Sequence, residues 1–235
     1  MKKKSKQPLM RKTHLPLLLL GAAMTLYGLV TALVSAWLSK RAMLGVLSAG
    51  AYRARLASFE GTASLIAGIA FLALFIWCAV ASKGIARVAF CFGAVAALPT
   101  MLIGREKLLP VPSAFSGPVV ALLVAIPMVV MFILLACGGW LPRSCRWTAF
   151  ACIFIVLFAA LFPVYVLLAV TKIPVGSPLI VSFGKLVDVS TNVIRLRYLL
   201  PGLAFLLMAY FSLHFARKMP GSASLVPAAP EGESQ

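Results

Sequence analysis

Residues 15–38 read LPLLLLGAAMTLYGLVTALVSAWL, a run of 24 residues without a charge. Wound as a helix at about 1.5 Å per residue it reaches roughly 36 Å, enough to cross a hydrocarbon core of about 30 Å. Ahead of it stand Lys2, Lys3, Lys4, Lys6, Arg11 and Lys12. Val34-Ser35-Ala36 resembles the small-residue cleavage site of a secretory leader, but the apolar part of such a leader spans only about 7–15 residues. The stretch therefore reads as an uncleaved first span with Pro16 in its opening turn, where a missing N–H costs little.

Five more stretches have the same character: residues 62–81, 85–103, 118–137, 147–170 and 198–216. None of the six contains a carboxylate. The acids of the chain, Glu60, Glu106, Asp188, Glu231 and Glu233, all fall between or beyond them. The 235 residues are 62% hydrophobic, against about 45–50% in a soluble domain, and the excess needs lipid to face. Lipid offers no partner for backbone N–H and C=O groups, so the spans must be helices. The expected fold is an all-α integral membrane protein of six helices plus one interfacial helix before the last. It divides into a basic cytoplasmic N-terminus (1–14), a membrane domain (15–216) and a small, polar, Pro-rich tail (217–235) expected to be disordered.

The formal net charge is +17. The cations lie in short runs beside apolar segments and are not interleaved with stacking aromatics, so they point to anionic headgroups as partner and not to nucleic acid. With the N-terminus inside, cytoplasmic segments hold 12 Lys and Arg residues and the opposite side 10. The first span decides, with six cations before it and Lys40 and Arg41 after it. The expected topology is N-in, C-in, in a plasma membrane of the bacterial inner-membrane kind. Trp37, Trp140, Trp147 and Tyr198 stand at span ends, where interfacial aromatics belong.

Between the fifth and sixth spans, Ser177-Pro178 has the form of an N-cap followed by proline. From 178 to 196 the residues separate into an apolar face and a polar face of Lys185, Asp188, Asn192 and Arg195, the pattern of a helix lying in the interface plane. The connection from Ser39 to Gly61 reads as a long external loop, in which Arg53 and Arg55 are candidates for lipid-headgroup contact.

Pro99, Pro127 and Pro163 are expected to interrupt their spans. Pro127 and Pro163 mark the place to seek a substrate path, since broken membrane helices expose carbonyls. Small residues at four-residue spacing, Gly28-Ala32-Ala36 and Ala89-Gly93-Ala97, are candidate helix-packing stripes.

The chemistry not encoded narrows the function. Coupled carriers place ionisable groups in their spans, yet here only Arg87 and His214 fall within them, both near an end. The two histidines (His14, His214) and five cysteines (Cys78, Cys91, Cys137, Cys145, Cys152) show no metal-ligand or haem spacing. HExxH, GxSxG and Walker A motifs are not found. No catalytic residue, metal or cofactor is expected. The leading expectation is a non-catalytic, permease-like subunit of a transport system, with other protein subunits, an ATPase among them, as partners. The arrangement is similar to that of permeases of the ABC-2 type, which have six spans and short non-cytoplasmic helices before the last. It departs from them in its long first external loop and in the short Lys83–Arg87 loop, which offers little for an ATPase to grip. The alternatives are a scaffold or assembly subunit of a larger complex and a lipid-headgroup enzyme.

Overall fold

The computed structural model describes residues 9–103, 105, 113–138, 141, 143–171 and 198–211. Every regular element among them is an α-helix: α1 (Leu9–Met43), α2 (Ala49–Ala81), α3 (Ile85–Thr100), α4 (Ser113–Cys137), α5 (Arg143–Thr171) and α6 (Tyr198–Phe211). Four of these, α1, α2, α4 and α5, are long and apolar enough to cross a membrane, whereas α3 and the described part of α6 are shorter. The chain is thus an all-helical membrane protein.

Contacts between helices set their directions. Gly21 of α1 lies against Leu206 and Gly202 of α6, and Gly28 against Leu199, so α1 and α6 run antiparallel. Gly68 of α2 meets Ala97 and Met101 at the far end of α3, and the Ser64 hydroxyl donates to the Ile103 carbonyl at 2.7 Å. At the other end of α3, Ile85 packs on Gly138, just past α4. Successive helices therefore alternate in direction. The start of α1, the α2–α3 turn, the end of α4 and the end of α6 gather at one end of the bundle.

Two expectations need correction. The Ser39–Gly61 connection is not a long loop: α1 continues to Met43 and α2 begins at Ala49. Arg53, Arg55 and Glu60 keep this stretch out of hydrocarbon, but none of the three stops a helix. Ser48 caps α2 by accepting from Ala51 N–H at 3.3 Å. α1 ends in a Schellman turn, with Val46 N–H bonding to Arg41 O, Gly45 N–H bonding to Ala42 O, and Gly45 at φ 70°. Ser48→Ala should cost about 1 kcal/mol of local stability, visible as faster amide exchange confined to the first turns of α2. Exchange unchanged there would remove the capping role.

The second correction concerns prolines. Pro127 and Pro163 lie within α4 and α5, which continue through them. Pro99 sits one residue before α3 ends, and Pro16 lies more than a turn inside α1, because residues 9–14 are already helical.

The core is aromatic and thioether-rich. Phe71, Phe75, Phe90, Phe132 and Phe205 are buried with Met24, Met128, Met131 and Met208. α6 buries one face in it and leaves Leu203, Leu207 and Tyr210 exposed on the other. Phe205 is edge-on to Phe75 of α2 and stacked on Phe132 of α4, at 6.2 and 5.5 Å. α5 packs chiefly on α4, burying the small stripe Cys145, Ala149, Cys152, Val156 and Ala160. Its outer face carries Trp147, Phe154, Phe158 and Tyr165, all exposed.

Candidate functional site

Polar side chains inside this bundle are few, and most collect at one level. Thr31 and Ser35 of α1, Ser64 of α2 and Thr100 of α3 are buried towards the end of the bundle where α6 begins. In an apolar helix a Ser or Thr hydroxyl must find a carbonyl, and the preceding turn supplies one. Thr31 Oγ1 donates to Tyr27 O at 2.8 Å, and Thr100 Oγ1 to Ala96 O at 3.0 Å. Ser64 reaches across to Ile103 O, and this ties α2 to the turn after α3.

Tyr198, the first residue of α6, completes the layer. Its hydroxyl lies 3.0 Å from Thr100 Oγ1. The threonine proton is committed to Ala96, so the tyrosine donates. The Tyr198 ring is edge-on to Tyr27 at 5.0 Å and stacked on Phe71 at 5.9 Å, and Tyr27 is edge-on to Phe71 at 5.7 Å. Tyr198 is 3% exposed and not the interfacial aromatic expected from its place at a span end.

Below this layer α1 and α6 cross with their backbones nearly in contact. A Cβ built on Gly202 would stand 2.6 Å from both Thr25 N and Thr25 Oγ1 and 3.0 Å from Gly21 O. Thr25 Oγ1 is buried there without a hydrogen-bond partner, as are Ser82 Oγ and Arg146 Nε elsewhere.

The residues singled out from sequence are scattered. Gly28 is buried against Leu199, while Ala32 is half-buried and Ala36 exposed, so the stripe serves its first member only. Ala89, Gly93 and Ala97 are all buried, with Gly93 against Phe75 and Met131. Pro127 is half-buried outside the core cluster. Arg55 is exposed on α2, where Arg53 also lies. Arg87 donates from Nε to Ala79 O and Ser82 O, each at 3.3 Å, and so caps the end of α2. Lys185, Asp188, Asn192, Arg195, the helix over 178–196, His214 and the 217–235 tail lie outside the described residues. Gly21, Gly202, Ser64, Thr100 and Tyr198 were not singled out as a group; the seven-residue interval from Gly21 to Gly28 was the available signal for the first.

Chemically the layer is a set of hydroxyls with no acid or base among them. It can hold hydrogen bonds and order helices, but offers no proton donor or acceptor near neutrality. Among the described residues no three His, Cys, Asp or Glu side chains come together as a metal site. No family model matches the chain, and neither a curated protein nor a solved structure matches it.

Proposed function

We propose that the chain is a non-catalytic, six-span subunit of a larger membrane assembly, with both termini inside, in a plasma membrane of the bacterial inner-membrane kind. Here α3 and α6 count as spans although their described helices are shorter than the other four. The observation that carries the reading is the interior. Where helices α1–α4 and α6 meet, the space is filled by phenylalanine and methionine. Among the described residues no Lys, Arg, Asp or Glu is buried as a whole side chain. A bundle packed in this way works through its outside. The exposed aromatic row Trp147, Phe154, Phe158 and Tyr165 on α5 is the candidate contact face, since interface cores are enriched in aromatics.

The permease-like reading takes second place. It is favoured by the buried hydroxyl layer at one end and needs a second state in which the aromatic plug of Phe75, Phe132 and Phe205 opens. Pro127 and Pro163 lend it less support, since both helices run through them unbroken. The enzyme reading has no acid–base pair to build on.

Gentle-detergent purification of the tagged chain, followed by identification of everything that comes with it, separates these cases. A stoichiometric membrane protein, lost on Phe154→Ala/Phe158→Ala, is the expected result. A nucleotide-binding partner would promote the permease reading. Recovery of a lone, monodisperse chain would sink the subunit reading.

A further inference from the structure

The stretch of α1 from His14 to Met43 has 30 residues and that of α2 from Gly50 to Ala81 has 32, about 45 and 48 Å of helix. A bilayer measures about 30 Å across its hydrocarbon and 40–45 Å with its headgroups. These two helices therefore match the full thickness, whereas α3, with 16 residues, covers about 24 Å. The mismatch is all at one end. α2 and α3 start level at the Ser82–Gly84 turn, and α3 has finished where Ser64 meets Ile103. From there α2 runs on to its turn with α1 at Leu44–Ser48.

That projecting end has a definite chemistry. Lys40 and Arg41 lie two to three residues before the end of α1 and Arg55 six residues into α2, so all three fall within about two helical turns of the hairpin turn. Lys40, Arg41 and Arg55 are exposed. The Arg41 guanidinium lies 4.1 Å over the Trp37 ring, a stacking that leaves its donors pointing outward in the guanidinium plane. Above this belt the tip shows Met43, Leu44 and Val46 at 83%, 67% and 66% exposure. Aliphatic side chains beside unpaired-sign cations are the composition of a segment that sits among headgroups. Along α2 the first acid after the turn is Glu60.

We propose that Lys40, Arg41 and Arg55 form a binding belt for the phosphates of anionic lipids in the leaflet around the hairpin, with the Met43–Val46 tip resting in the same interfacial layer. The belt rests on the membrane reading of the chain and not on its role as a subunit. A lone chain from detergent would remove the subunit role and leave this proposal standing.

The test reconstitutes the full chain in nanodiscs of mixed phosphatidylglycerol and phosphatidylcholine and counts the lipids retained on extraction by native mass spectrometry. The wild type should retain the anionic lipid about fivefold over its share of the mixture, an excess that falls with added salt. Lys40→Gln/Arg41→Gln/Arg55→Gln should lose most of that excess, and Lys83→Gln, at the opposite end, should keep it. Should the threefold variant not fold, Lys40→Gln/Arg41→Gln and Arg55→Gln should each lower the excess in part. Equal retention of both lipids by the wild type, or an undiminished excess in the belt variants, would overturn the proposal. A belt occupied only when an acidic protein copurifies would likewise overturn it.

Discussion

Gly202→Leu is expected to abolish the folded bundle. The obstacle is backbone. A Cβ at this position falls 2.6 Å from Thr25 N and 3.0 Å from Gly21 O, atoms that cannot rotate out of the way as a side-chain end can. Even Gly202→Ala should cost about 1–3 kcal/mol, the usual penalty for overpacking, and leucine adds three more carbons to the same gap. Gly21→Leu should behave alike, since its Cβ would meet Leu206 N at 2.7 Å and Gly202 O at 2.9 Å. Gly50→Ala is the matched control. It has nothing within 4 Å and should gain up to about 1 kcal/mol of helix propensity. Size-exclusion profiles and thermal midpoints of the detergent-solubilised variants make the comparison. A Gly202→Leu protein with the wild-type profile and midpoint would disprove the close α1–α6 crossing.

Tyr198→Ala is expected to be the most damaging side-chain truncation in the hydroxyl layer, and Tyr198→Phe nearly harmless. The ring touches Tyr27 and Phe71 in two well-formed aromatic contacts, each worth about 0.5–1.5 kcal/mol beyond simple packing. Its removal also leaves a cavity beneath α6, so a total near 3 kcal/mol follows from large-to-small core substitutions. The hydroxyl bonds to Thr100, and interhelical hydrogen bonds in membranes average only about 0.6 kcal/mol. Thr100 keeps its bond to Ala96 when the phenol is lost. Thermal midpoints in detergent should therefore fall for alanine far more than for phenylalanine. If phenylalanine proved as costly as alanine, the hydroxyl network and not the ring packing would be holding α6.

The helical membrane class was legible because a charge-free run such as Leu15–Leu38 has no alternative in lipid. The limits of the helices were less legible, for a physical reason. Hydropathy marks where a side chain stops tolerating lipid, whereas a helix ends where its backbone hydrogen bonds end. Arg53 and Arg55 mark the first limit on α2, and Ser48 sets the second, more than a turn away. Proline misled in the opposite direction: Pro127 and Pro163 lose a hydrogen bond each, yet their helices continue.

The site was less legible still. Gly28 stood out within a four-residue repeat, but Gly21 gains its meaning only from Gly202, and nothing local announces a partner so far along the chain. Likewise Thr100 and Tyr198 are 98 positions apart. Each alone looks ordinary, a threonine in an apolar helix and a tyrosine at a span end. Only the crossing of α6 through the bundle makes them a pair. The aromatic row on α5 was open to a helical reading, but its exposure depends on small residues such as Ala149 and Cys152 having taken the inner face.

That crossing bears on how the protein is made. α6 follows the other described helices in the chain, so it is synthesised after the partners it packs on. Until Tyr198–Phe211 emerges, the surfaces it covers on them, among them Gly21, Phe75 and Phe132, lack that helix. The growing chain must then hold its first helices in the membrane loosely enough to admit a late arrival. The packing of α6 is thus a late event, and a biosynthetic chaperone or lipid covering those surfaces would meet them before the helix that finally does.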